Sequence, residues 1–372
     1  LNLNPSELGL LTSTYALTFA LTQIPLGLLL DAWGARRTQS LFFLVGAAGI
    51  IYFGLSSSVT MLSIARAILG IGMAGGLMAA FKAVADRVEP KQIPFFNSVI
   101  LGAGGIGGLI ATSPAKAFEV HFGWRPLCFM LGAVTVFAAV LVFMVFRDPE
   151  RGEEKESGFV ARIRGLKVVL RDRTFWKITP VMTVAYGGFM AMQGLWLGPW
   201  FQRIMNLTPT EGAEYLSMVA IATAVGFLSG GAIKELAVRL GVRLGSLVAI
   251  GIALHIVTQV FVILNLGTEH LITWFIYGFF GQIPIIYFAG LTQHFGHRLS
   301  GRALTAANIL VFLFMFAFQY LFGVLVHNWP RAGGVTETEA YQFGLAGLVA
   351  LETLALVWYV VFKGSARTAD EA

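Results

Sequence analysis

Charge is scarce in this chain: only 12% of its 372 residues are Asp, Glu, Lys or Arg, about half the share of a soluble globular domain. That shortage excludes an ordinary water-soluble fold, because too little polar surface is left to cover the 56% that is hydrophobic. Cysteine is almost absent. Cys128 is the single one, so no internal disulfide can form and thiol usage says nothing of redox compartment. No G-x4-G-K-[ST] stretch occurs, and no group of Cys, His and acidic residues has the spacing of a metal site. Enzyme chemistry, nucleotide hydrolysis by the chain itself and a bound cofactor or metal are therefore not expected.

What fills the chain instead is apolar sequence in long runs, with a mean hydropathy of +0.75. Windows of about 20 residues, the length that crosses a bilayer core, recur eleven times, near 8–30, 38–57, 61–84, 94–118, 124–146, 175–200, 211–233, 243–265, 271–290, 303–327 and 341–362. Hydrocarbon offers no partner for a free backbone group, and the alternation of barrel strands is missing, so each window reads as a helix. The fold class is all-α and polytopic.

Orientation follows from the 26 Lys and Arg. Alternate gaps between the windows collect 21 of them on the side of residues 31–37, four (Lys116, Arg125, Arg203 and Arg331) fall on the other side, and Arg66 lies inside a span. Basic residues stay cytoplasmic, which places residues 31–37 inside and Leu1 outside. The +6 balance is spread by topology rather than gathered with stacking aromatics, so lipid is the expected anionic partner and nucleic acid is not. His294 and His297 read as solvated residues of a cytoplasmic loop. Trp196, Trp200, Trp124 and Trp329 read as interfacial anchors at the outer boundary.

The stretch "PLGLLLDAWGARRTQS" (25–40) places Gly27, Asp31, Gly34, Arg36 and Arg37 in the spacing G-x3-D-x2-G-x-R-R, in the short gap between two spans. It resembles the signature loop of the major facilitator superfamily between family helices 2 and 3, departing from it at Ala32 and Ala35. "ARAILGIG" (65–72) looks like the arginine-glycine motif of family helix 4, and "FGWRP" (122–126) is similar to the lead into helix 6. The resemblance implies two six-helix half-bundles, of which eleven of twelve helices are expected here, an initial helix being absent from the sequence given. The expected division is 1–146, 147–174 as a cytoplasmic connection with an interfacial amphipathic helix, and 175–372. Within that helix, Phe159, Ile163, Leu166 and Leu170 form the apolar face. "VRLGVR" (238–243) falls where the second half should repeat the signature, aligning Gly241 with Gly34.

The same resemblance implies a secondary transporter of a small solute in a bacterial cytoplasmic membrane, working as a monomer by alternating access, with Gly27, Asp31, Gly34, Arg36 and Arg37 as the cytoplasmic gate. Arg66 lies roughly 10 Å from the midplane at 1.5 Å per residue, a costly position that calls for a cavity or a partner. No acidic residue stands near mid-depth on the retained cavity-type helices, which favours an organic anion or polar neutral metabolite over a cation. Tyr15, Thr22, Gln23, Tyr186, Gln193, Gln282, Asn308 and Gln319 are the uncharged candidates for solute contact, although a polar residue of this kind taken singly more often bonds one helix to another. His255 and Glu352 reach the midplane on family helices 9 and 12, where a buried pair would be either structural or a proton site.

Gly102, Gly104 and Gly107 match G-x-G-x-x-G but sit in a span without a βαβ unit, so the dinucleotide reading is discarded. Gly104 and Gly108 are expected to pack against a neighbouring helix instead. Nitrate and nitrite porters of the superfamily share such a glycine-rich fifth helix, but their substrate arginines on helices 2 and 8 have no counterpart here. Proton-coupled uptake is the expected mode. A proton-coupled efflux antiporter and a non-transporting sensor or assembly factor are the alternatives. "FFGQIPII" (279–286) is the expected kink.

Overall fold

The computed structural model describes residues 3–85, 87–89, 92–146 and 159–364, and every regular element among them is helical. α1 (Pro5–Leu55) opens on a capping box, with the Asn4 side chain accepting from the Glu7 N–H at 2.9 Å. The expected gap between the first two spans is reduced to one residue. Gly34, at φ 85° and ψ 169°, turns the path of α1 on its own, in a backbone region that essentially only glycine enters. In the second half of the chain Gly241 also has positive φ, 65°, at the position that the sequence aligns with Gly34.

α2 (Val59–Met73) and α3 (Gly76–Ala85) together make the third span. α4 (Ile93–Ile110) and α5 (Ser113–Phe122) are separated by Ala111 and Thr112, and α6 (Trp124–Val145) follows. α7 (Phe159–Arg171) comes next. Then α8 (Arg173–Ala191) passes through a π turn, Met192–Trp196, into α9 (Leu197–Arg203). α10 (Pro209–Arg239), α11 (Leu244–Ile263) and α12 (Leu271–Gln282) follow, and α12 gives way to a 3₁₀ segment, Ile283–Ile286. That break falls in the expected kink, where Pro284 cannot donate a backbone bond. α13 (Tyr287–Asn328), turned at Gly296, and α14 (Glu337–Val361) complete the described fold.

Among the described residues nine segments are long and apolar enough to cross a membrane, against eleven windows read from sequence. The two windows without a counterpart are α4–α5, which is broken in two, and α8–α9. The latter holds Lys177, Gln193, Gln202 and Arg203 and is enclosed by protein: Val181, Met182, Ala185, Phe189 and Ala191 are fully buried. A helix covered by other helices is free to carry polar residues that lipid would penalise.

Three packing expectations are corrected. Trp196 and Trp200 are not interfacial anchors. Both are fully buried, against Tyr341, with Trp196 also against Phe322, because α8 and α9 run through the middle of the carboxy-terminal helices. Trp329 keeps 37% exposure, as an interfacial residue does. In α4 the contact face is not Gly104 and Gly108, which meet nothing within 4 Å. It is Gly105, where a Cβ would stand 3.0 Å from the Ala224 Cβ of α10, with Gly102 near Leu228. On α7 the inward face is Gly165, Leu166 and Val169, with the Arg302 guanidinium lying across Gly165. Leu170 stays 40% exposed, and the side chains of Phe159 and Ile163 lie outside the described residues.

Candidate functional site

Helices before residue 146 meet those after residue 173 along two seams. In the first, Gly9 of α1 crosses Gly323 of α13 so closely that a Cβ on Gly9 would stand 2.8 Å from the Gln319 carbonyl oxygen, and the Ser6 hydroxyl donates to the Gly323 carbonyl at 3.3 Å. Further in, Ala16 and Ala20 pack with Ala191, Phe312 and Met315, and the Phe19 and Phe312 rings stack at 4.1 Å. In the second seam, Ser113 and Ser217 hydroxyls lie 2.7 Å apart, Ser217 bonds Thr112 at 2.8 Å, and Ser113 donates to the Ala213 carbonyl at 3.2 Å. Among the described residues, the hydrogen bonds, ring stacks and glycine crossings that join the two groups start from residues 5–20 and 102–113. On the charge-based orientation these are the outer and middle parts of the spans.

Arg66, on α2, is surrounded by apolar and weakly polar neighbours. Its guanidinium carbon lies 5.1 Å from the centroid of the Phe53 ring, within cation–π range, and Tyr15 and Cys128 are within its electrostatic reach. The Nε is buried and has no hydrogen-bond partner, and no carboxylate among the described residues pairs with Arg66. Tyr15 stands between this guanidinium and the Ala16–Phe312 contact, against whose residues it packs. Sequence reasoning singled out Arg66 and Tyr15 but missed Phe53 and Cys128.

The remaining candidates divide by what their polar atoms do. Thr22 donates to the Thr18 carbonyl at 2.6 Å within its own helix, and Gln23 donates to the Ala74 carbonyl at 3.3 Å, so both serve helix structure. Gln193, in the π turn, donates to the Thr223 hydroxyl at 3.4 Å. Gln319 donates to the Ala191 carbonyl at 3.3 Å, next to the π turn, whose i→i+5 pattern rearranges nearby carbonyls. Tyr186 lies beside Gln282, whose amide nitrogen is buried without a partner. Asn308 is half-buried on α13. Thus Tyr15 and Arg66 form one group, while Tyr186, Gln193, Gln282 and Gln319 stand on α8, the π turn, α12 and α13. The surface clefts, one lined by Thr112, Lys116, Glu119, Gln202 and Leu216 and another by Thr174, Lys177, Tyr359 and Lys363, lie elsewhere.

At the cytoplasmic turn, Arg36 donates from Nε to the Phe143 carbonyl at 2.7 Å and covers the Phe143 ring at 4.2 Å, tying α1 to the end of α6. Arg37 is exposed, and Gly27 meets nothing within 4 Å. The side chain of Asp31 lies outside the described residues.

His255 and Glu352 do not pair. Glu352 accepts from the Gln259 amide at 2.6 Å, while both ring nitrogens of His255 are buried without a partner. His294 is not a solvated loop residue. It stands in α13, about one-tenth exposed, with Nε2 3.1 Å from the Asp172 carboxylate that also caps α8. The side chain of His297 lies outside the described residues.

Membrane-length helices, nine among the described residues, meeting in two groups make the build of a polytopic membrane protein. The profile described as Major Facilitator Superfamily matches residues 1–319, and the chain belongs to that family, whose members are transporters. It is an integral, multi-pass membrane protein. It is 23% identical over 261 residues to the Probable sulfoacetate transporter SauU of Cupriavidus necator, covering 66% of this chain and 60% of the relative. It is 26% identical over 235 residues to the Nitrite extrusion protein of Bacillus subtilis, covering 62% and 57%. The chain thus spans about three-fifths of the length of these relatives. Among solved structures, a bacterial homologue of the human lysosomal transporter Spinster, inward-facing and unoccupied, superimposes with a TM-score of 0.73 at 18% identity, covering 96% of this chain and 89% of that one.

Proposed function

We propose that this transporter carries a small organic anion into the cell by alternating access, coupled to protons. The observation that carries the reading is Arg66, half-buried in a span, whose Nε is buried without a hydrogen-bond partner and with which no carboxylate among the described residues pairs. A buried cation is retained where a counter-charge visits it, and a solute carboxylate or sulfonate supplies one with charge-assisted hydrogen bonds. Sulfoacetate, named for one relative, is an anion of this kind. Tyr15 then faces the solute from the amino-terminal side, and Tyr186, Gln282, Gln193 and Gln319 from the other.

The two half-bundles, 1–146 and 175–372 with 147–174 between them, rock about the seams. The outer contacts at Gly9–Gly323 and Ser113–Ser217 support an inward-open state, and the paired turns at Gly34 and Gly241 support a repeat of half on half. Asp31, Arg36 and Arg37 close the cytoplasmic side in the opposite state.

Uptake of radiolabelled sulfoacetate into proteoliposomes, with and without an inward proton gradient, tests this. Accumulation that needs the gradient supports the proposal. Uptake of neutral sugars with no response to organic anions refutes it.

A further inference from the structure

We infer that Glu352, with Gln259, His255 and Tyr277, forms an exchangeable proton-binding site within the carboxy-terminal helices, gated by the ring of Phe189. This rests on the transporter reading above and names a seat for its proton.

Three helices bring the group together: His255 and Gln259, one turn apart on α11, Tyr277 on α12 and Glu352 on α14. Their exposures are 1%, 0%, 0% and 0%. One hydrogen bond is made, from Gln259 Nε2 to Glu352 Oε2 at 2.6 Å. Five atoms are left without a partner: both His255 ring nitrogens, Gln259 Oε1, Tyr277 Oη and Glu352 Oε1. Such a concentration of unpaired buried atoms is far from the usual economy of a protein interior.

Gln259 of α11 bonds Glu352 and Tyr277 of α12 is within its electrostatic reach, while His255, one turn from Gln259, packs on Tyr277 with ring centroids 4.9 Å apart. α8 contributes the Phe189 ring, packed on both His255 and Tyr277, and Leu348 of α14 itself packs at Gly188. No Lys or Arg is among these neighbours, so an ionised carboxylate would be buried without compensation. The geometry suits the acid. A separation of 2.6 Å is short for N–H···O and ordinary for O–H···O. The amide oxygen and nitrogen of Gln259 can be exchanged in assignment, which lets the Glu352 O–H donate to the Gln259 oxygen.

One aromatic ring touches both this group and the residue next to Gln282. Phe189 lies with its centroid 5.9 Å from that of His255 and 5.8 Å from that of Tyr277. It presses on Gly281 so closely that a Cβ there would stand 2.2 Å from the ring. The residue after Gly281 is Gln282, the neighbour of Tyr186. Both strands of support for the ring are irregular within a turn: the π turn at Met192–Trp196 on one helix and the 3₁₀ segment at Ile283–Ile286 on the other. Such segments mark places where helices rewind. When they do, the ring swings off, and His255 and Tyr277 meet the Tyr186–Gln282 side. Once the Glu352 O–H bond has broken and its proton has left through this opening, a proton arriving there bonds to a His255 ring nitrogen. As it leaves that nitrogen, an O–H bond forms on the Glu352 carboxylate, and His255 returns to its neutral form.

Infrared difference spectroscopy of the protein in sodium-free liposomes, stepped from acid to alkaline pH, reads the acid directly without any solute. A protonated-carboxyl C=O band that is lost on alkalinisation, and absent in Glu352→Gln, supports the site. In Gln259→Leu, which keeps the acid and removes its partner, the band shifts to higher frequency, so the result does not hang on one variant. Phe189→Ala speeds the hydrogen–deuterium shift of the band. A spectrum with no Glu352-dependent band overturns the proposal, as does a band that never exchanges deuterium even in Phe189→Ala, the mark of a sealed structural acid. Loss of the band on adding sodium at constant pH would instead mean a cation site and would also overturn it. Failure of sulfoacetate uptake leaves these spectra unchanged, so the two readings fail separately.

Discussion

Phe19 and Phe312 stack with ring centroids 4.1 Å apart and planes 24° from parallel, joining the two groups of helices midway along their spans. Outward from this pair run the Gly9–Gly323 crossing and the Ser113–Ser217 bond. A carrier that rocks must part these contacts and remake them in every cycle.

A disulfide placed in the outer seam should therefore stop it. In a Cys128→Ala background, Ser113→Cys with Ser217→Cys puts two sulfurs where hydroxyls now lie 2.7 Å apart, within reach of a bridge. The expected result is oxidation-dependent loss of uptake, restored by reductant. Full uptake with the bridge formed would show that the seam does not open.

Gly34→Ala should cost about 1–3 kcal/mol, because φ 85° with ψ 169° is closed to a residue with a Cβ. Gly27→Ala should change stability by less than about 0.5 kcal/mol, since nothing lies within 4 Å of its Cβ position. Thermal unfolding in detergent distinguishes the two.

Trp196→Ala should destabilise by about 3–5 kcal/mol, the range for emptying a large buried aromatic site, whereas Trp329→Ala, at a residue 37% exposed, should stay within about 1 kcal/mol. Equal effects in the same melting measurement would return Trp196 to the membrane interface.

Much of this was legible in the chain. Window length read out nine of the eleven expected spans among the described residues, and the G-x3-D-x2-G-x-R-R spacing located a turn that the backbone makes at Gly34. Gln282 and Pro284 marked the 3₁₀ break. What stayed hidden was the rotational phase of each helix against its neighbours. Gly104 and Gly105 differ by about 100° around α4, and only the position of Ala224 decides which one packs. Trp196 sits near a span end whether it faces lipid or Tyr341, and the π turn shifts its face further. His294 gained its partner from Asp172, 122 positions away. Gln259 was the missed residue with a usable signal, because its spacing of four from His255 puts both on one face of α11.

The most direct test concerns Arg66. Binding of radiolabelled sulfoacetate to the purified protein, compared between wild type, Arg66→Lys and Arg66→Gln, isolates the guanidinium from the transport cycle. Loss of a charge-assisted contact worth about 1.5–3 kcal/mol predicts roughly ten- to hundredfold weaker binding in Arg66→Gln, with Arg66→Lys in between and folding retained in both. Undiminished binding by Arg66→Gln would contradict the account.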